Sequence, residues 1–214
     1  WAFVSSPGAQ RPFPEVSGRK SRKIGLFGGT FDPPHVGHLV TAVNVRHLLD
    51  LDVVLMVVAN EPWQKVGSRV ITPASHRLDL VSAAVRDVEG VEASDIEVRR
   101  GGPSYSVDTM TQLRAEHPRA ELFLILGADA AAELHTWRRP AELAASCRLV
   151  VVDRPGAVTR LPEGFDGLRV EVPRLEVSST DLRARAVDGR PLRFLVPDQV
   201  ISLVRDLDLY RDPR

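Results

Sequence analysis

The stretch KIGLFGGTFDPPHVGH, Lys23–His38, runs from an apolar strand through two glycines into an amphipathic helix. Ile24–Phe27 shows no alternation of apolar and polar residues, as a strand covered on both faces requires. Glycine lets a backbone approach an anion closely, and the N–H groups of a first helical turn point toward it. Gly28 and Gly29 therefore open an expected phosphate site, and Gly37 keeps a side chain from coming between phosphate and backbone. His35 and His38 are three residues apart, so both imidazoles lie on one side of the turn and reach the same phosphate chain. A plainer reading has one histidine capping the helix and the other packing on the surface; the preceding GGTFDPP favours the phosphate site. The run is not the dinucleotide fingerprint, because Thr30, Phe31 and Asp32 follow Gly29, and no GKS or GKT triplet marks a P-loop.

Further non-alternating apolar runs occur at Val53–Val58, Leu122–Leu126 and Leu149–Val152. Helical spacing separates them: Leu39, Ala42, Val45 and Leu49; Leu78, Val81 and Val85 after Thr72-Pro73; and Val107, Met110 and Leu113 after Ser106 as N-cap. This alternation predicts an α/β fold, a Rossmann-like doubly wound parallel sheet with right-handed crossovers. Ligands of such sheets sit beyond the carboxyl ends of the strands, which puts Gly28, Asn60–Lys65, Gly127 and Asp129 on one rim. Pro155–Pro173 reads as a long loop with a short strand near Leu168–Val172. A small C-terminal helical part follows, one helix starting at Ser178-Ser179-Thr180 and another at Pro197, the latter carrying Val200, Leu203 and Leu207.

With 214 residues and 43% apolar content, the chain suits a single domain over 23–214, divided into a core at 23–157 and a C-terminal part at 158–214. Residues 1–22 are rich in Ser, Pro, Gly and Arg and read as a loosely attached basic tail. The cluster Arg19, Lys20, Arg22, Lys23 reads as a solvated flank, so no nucleic acid partner is expected. Lys plus Arg and Asp plus Glu both count 28, so an anion site has to be built locally. A lone Cys147 excludes an intramolecular disulfide and a multi-cysteine zinc site, no apolar run is long enough for a membrane helix, and a cytoplasmic protein is expected.

A second anion element is VSSTDLR, Val177–Arg183. Hydroxyls and backbone N–H groups gather at a helix start, and Arg183 lies one turn beyond Ser179 on the same face; an ordinary N-cap with an exposed arginine is the competing reading. A strand ending in GGTFDPxHxGH paired with SSTxxR resembles the nucleotidylyltransferase superfamily with the HxGH signature. That resemblance implies an ATP triphosphate held by Gly28, Gly29, Thr30, Phe31, Gly37, Ser178, Ser179 and Thr180. It also implies that His35, His38 and Arg183 act on the α-phosphate and the departing pyrophosphate.

Within that superfamily, GGPSYSVDT at Gly101–Thr109 and LGADAAAELHTW at Leu126–Trp137 resemble bacterial nicotinate mononucleotide adenylyltransferases over about Lys23–Arg183. Trp137 offers a flat electron-rich face to a cationic pyridinium ring, or else packs in the core. N–H groups near Tyr105 and Ser106 face a carboxylate in the first reading. Asp129 serves ribose hydroxyls beside Gly127, or caps a helix at Ala130–Leu134, or both. Lys65 resembles the family's phosphate-binding lysine, and Trp63 is either a lid or a cover for apolar surface.

The resemblance implies AMP transfer from ATP to nicotinate mononucleotide, with Mg²⁺ carried mainly by phosphates and water rather than by a dedicated protein metal site. A homo-oligomer is compatible with the sequence. The rivals are phosphopantetheine adenylyltransferase, which shares the phosphate motifs but lacks the SYS-x-DT and late-Trp segments, and a noncatalytic ATP-binding sensor.

Overall fold

The computed structural model describes residues 21–62, 70–153, 161–173 and 175–211. The expected strands are β1 (Lys23–Gly29), β2 (Val53–Val58), β4 (Glu121–Gly127) and β5 (Arg148–Asp153), with β6 (Gly167–Glu171) near the position anticipated for the short strand. Together with β3 (Val91–Ser94) they form one sheet in the order β3-β2-β1-β4-β5-β6. Every neighbouring pair is parallel, so the chain has the α/β, Rossmann-like architecture.

The non-alternating strands reflect burial on both sides. Leu122, Leu124 and Leu126 face one core while Phe123 and Ile125 face another; β2 and β5 are likewise buried along most of their length, and β1 is buried over residues 24–26. The first core is covered by α4 (Ser106–Glu116) through Val107, Met110 and Leu113, and by α6 (Pro140–Ser146) through Leu143. The second is covered by α1 (Val36–Leu48) through Ala42 and Val45, and by α2 (Ala74–Val85) through Val81 and Val85. α2 also turns Leu80, Ala83 and Ala84 toward a third cluster, shared with Leu182 of α7 (Ser179–Asp188) and with Val200, Ile201 and Val204 of α8 (Asp198–Asp206).

Several local expectations need correction. Ser106 is the first residue of α4, and Tyr105 is its N-cap, in extended backbone. The helix expected at Ala130–Leu134 is α5 (Ala128–Ala132), capped by Gly127 rather than Asp129 and followed by a 3-10 turn at Leu134–Thr136. In α8 the buried residues are Val200, Ile201 and Val204, not the stripe through Leu203 and Leu207. β3 and α3 (Ile96–Arg100) carry no apolar run: only Val91 is buried in β3, and its short VEAS segment at the sheet edge gives no sequence signal. Arg22 already joins the sheet, its carbonyl accepting a 2.8 Å bond from the N–H of Glu121; residues 1–20 lie outside the described residues.

Candidate active site

β1 has β2 on one side and β4 on the other, so the switch in strand order falls between β1 and β4. Gly28-Gly29 and Gly127 leave the sheet at the same ends of adjacent strands, the place where open α/β sheets bind ligands. Gly29 is required by packing: a Cβ there would come within 2.7 Å of the Phe31 ring. Phe31 folds back with φ 49°, is 3% exposed, and meets Phe27 and His38 edge-on at 5.8 and 4.9 Å. Its side chain is thus part of the core beneath the loop, and only its backbone lies on the loop.

His35 is the N-cap of α1 and His38 sits in its first turn. The N–H of His35 donates to Nδ1 of His38 at 3.2 Å, which leaves the neutral His38 ring carrying its proton on Nε2. The two imidazoles stack with centroids 3.7 Å apart and an interplanar angle of 22°. His35 Nδ1 is buried without a hydrogen-bond partner among the described residues, and a Cβ on Gly37 would lie 3.0 Å from it. An unprotonated Nδ1 suits that dry contact, so His35 also carries its proton on Nε2. Gly37 therefore makes room for the His35 ring itself.

Burial lowers His35 to about 4, so the folded protein keeps this ring neutral. The unfolded chain takes up a proton near the ordinary value of 6.5. Stability from this residue is thus full above that pH and is lost as pH falls toward about 4. Urea unfolding should show a fall of up to about 3 kcal/mol over this range from His35 alone. In His35→Gln the slope should flatten, and an unaltered slope would refute the assignment.

The second motif packs directly on the first. Ser179 Oγ donates to the carbonyl of Pro33 at 2.8 Å, and Arg183 Nη1 donates to the carbonyl of Asp32 at 2.8 Å. Arg183 Nη2 also donates to Thr180 Oγ1 at 3.2 Å. Ser178 caps α7, its Oγ accepting from the N–H of Asp181 at 3.2 Å, so the N-cap reading holds for this residue. Val177 Cγ1 would lie 3.6 Å from a Cβ on Gly37, which brings the late segment against the histidine turn. The amino-terminal and carboxyl-terminal motifs thus share one rim.

Arg77 and Tyr210, both absent from the sequence reading, hold this rim from behind. Arg77, 1% exposed on α2, donates to the carbonyls of Thr72, Thr30 and Asn60 at 2.7, 2.9 and 3.1 Å. One guanidinium thereby joins the exits of β1 and β2 to the start of α2. Asp32, also 1% exposed, accepts a 2.7 Å bond from the Tyr210 hydroxyl and a 3.4 Å bond from the Thr72 N–H. The signal for Arg77 was its place on the stripe with Leu80, Val81 and Ala84; for Tyr210 there was none.

On the β4 side, Tyr105 and Ser106 are half-buried at the start of α4, and the Arg138 guanidinium lies 4.6 Å from the Tyr105 ring centre. The loop before them is tied to the β2 exit: Asn60 N–H donates to Ser104 Oγ at 2.8 Å, and Ser104 N–H donates to the Glu61 carbonyl at 3.0 Å. Gly127 and Asp129 are exposed at the β4 exit. Trp137 is half-buried against the first core, with Nε1 buried and unpartnered among the described residues. Lys65 and Trp63 lie outside the described residues. Among the described residues no helix is long and apolar enough to cross a membrane.

A cytidylyltransferase-like family model matches residues 26–185, a span that begins in β1 and ends just past Arg183. A protein of Exiguobacterium sibiricum named "probable nicotinate-nucleotide adenylyltransferase" is 43% identical over 188 residues, covering 88% of this chain and 98% of the relative. One of the same name from a Roseiflexus species is 45% identical over 199 residues, covering 89% and 99%. The chain belongs to the nicotinate-nucleotide adenylyltransferase family. Among solved structures, the Plasmodium falciparum nicotinic acid mononucleotide adenylyltransferase complexed with NaAD superposes with a TM-score of 0.72 at 16% identity. It covers 88% of this chain and 97% of its own, and at that identity it speaks for the fold alone. The adenylyltransferase relatives are matched over nearly their whole length, so both motifs and the segment between them fall inside the likeness.

Proposed function

We infer that the protein transfers AMP from ATP to nicotinate mononucleotide, giving nicotinate adenine dinucleotide and pyrophosphate, a step of NAD biosynthesis. The observation that carries this reading is the seating of Ser179 and Arg183 on successive carbonyls of the histidine loop, which makes one cradle from two phosphate motifs. The mononucleotide phosphate is already an anion, so it attacks the α-phosphorus without a general base. One P–O bond forms to it while the bond to the bridging oxygen of pyrophosphate breaks.

The protein's part is in-line positioning and stabilisation of phosphate charge. In this reading the Nε2–H groups of His35 and His38, with Arg183, face the α-phosphate and the leaving pyrophosphate. The backbone of Gly28, Gly29, Thr30, Phe31 and Gly37, with the α7 start at Ser178, Ser179 and Thr180, surrounds the rest of the triphosphate. Lys65, Tyr105, Ser106, Gly127, Asp129 and Trp137 receive the mononucleotide, the Trp137 face against the pyridinium ring.

Among the described residues no group of three or more His, Cys, Asp or Glu side chains gathers into a metal site. A Mg²⁺ that arrives on the triphosphate would supply charge screening there.

Pyrophosphate release should be measured with ATP and a panel of mononucleotides. Nicotinate mononucleotide is expected to exceed its amide analogue in kcat/KM by about 10²-fold or more, because N–H donors placed for a carboxylate lose their charged acceptor with the amide. Phosphopantetheine should give no release. Equal kcat/KM for acid and amide, or turnover of phosphopantetheine alone, would overturn the assignment.

A further inference from the structure

We propose that Tyr210, at the far end of the chain, is a positioning residue for the ATP cradle and acts through Asp32. Its hydroxyl donates to Asp32 Oδ1 at 2.7 Å across a separation of 178 residues. Asp32 is the residue whose own carbonyl receives Arg183, and the next carbonyl, that of Pro33, receives Ser179. Its other carboxylate oxygen accepts the N–H of Thr72, whose carbonyl in turn accepts Arg77 Nε. Holding the Asp32 side chain therefore fixes the peptide on which Arg183 rests. A tyrosine bonded to the Asp32 carboxylate thereby sets the orientation of a guanidinium that faces the expected phosphate positions.

The turn that delivers Tyr210 is itself constrained. Asp208 and Tyr210 have φ of 54° and 60°, in the left-handed region that side chains other than glycine avoid. Contacts around the turn offset that preference: the N–H of Leu209 donates to the Val204 carbonyl at 2.9 Å, and Leu209 and Tyr210 pack on the cluster shared by α2, α7 and α8. Burial, with the Asp32 carboxylate beside it, pushes the Tyr210 hydroxyl far above its ordinary range. The group is therefore a permanent donor at any working pH.

The proposal rests on the adenylyl-transfer reading of the cradle, and the test separates the two. In the full chain, Tyr210→Phe, Asp32→Asn and the double variant are compared with the parent for ATP affinity by calorimetry, for kinetics with ATP and nicotinate mononucleotide, and for thermal unfolding. Tyr210→Phe should weaken ATP binding and lower kcat/KM for ATP by about 10-fold, the value of a hydrogen bond to a charged group. KM for nicotinate mononucleotide should stay within about twofold, because the lost bond is confined to the phosphate loop. Added to Asp32→Asn, the tyrosine change should cost less than about twofold more, since its target is already altered.

Fold-losses that multiply in the double variant, equal losses toward both substrates, or unchanged ATP affinity in Tyr210→Phe would overturn the proposal. A parent protein that binds ATP without turning over nicotinate mononucleotide would instead defeat the adenylyl-transfer reading, and the calorimetric cycle would still decide the role of Tyr210.

Discussion

Replacing His38 by Ala is expected to lower kcat by about 10²-fold or more with the fold retained. The imidazole accepts the N–H of His35 through Nδ1, and this bond fixes the ring and leaves the proton of its neutral form on the other nitrogen. In the proposed mechanism a donor fixed in this way meets charge that develops on the α-phosphate without reorganising, so its loss should appear in kcat rather than in KM. The structural cost is smaller. One capping acceptor disappears, worth about 1 kcal/mol, and the edge-on contact with Phe31 is lost. Steady-state pyrophosphate release read beside a melting curve separates the two effects, and near-normal turnover in a folded variant would reject the assigned role.

Arg183→Lys should be nearly as damaging, with kcat/KM for ATP falling by about 10²-fold despite retention of the charge. The guanidinium reaches the Asp32 carbonyl with one nitrogen and Thr180 Oγ1 with another, a fork that keeps the group flat and oriented along α7. An ammonium on a flexible stem has no such plane. α7 itself should stay in place, because Ser179 still holds the Pro33 carbonyl and Leu182 remains buried beneath it. Activity within about threefold of the parent would show that positive charge alone suffices there and that orientation contributes little.

Much of the architecture is written in residues 23–58 and 121–152, because strands buried on both faces must be apolar throughout and such runs are hard to mistake. β3 escaped notice for the converse reason: at the sheet edge, VEAS needs just one buried side chain. Within the site, the paired histidines and the SSTDLR segment could be read as anion-binding pieces because their spacing alone puts side chains on one face. What spacing could not give was their mutual contact, which depends on α2 and α8 supporting α7 through the third cluster.

Arg77 illustrates a different limit. An arginine in a helix reads as solvent-facing unless its neighbours on the apolar stripe are counted, and its acceptors are backbone carbonyls that no side-chain pattern encodes. Tyr210 is harder still, since its partner lies at the opposite end of the sequence. Two glycines also meet packing demands that the sequence pattern does not encode: Gly29 yields space to Phe31, and Gly37 to His35.

The dependence of the histidine loop on residues 179, 183 and 210 has a consequence for biosynthesis. A nascent polypeptide has all six described strands in hand by residue 171, yet the clasp over Asp32 and Pro33 waits for residues 179, 183 and 210, which are translated later. Ribosome-tethered chains should therefore acquire a sheet well before they can turn over substrate, and catalytic competence should switch on abruptly once residue 210 clears the exit tunnel.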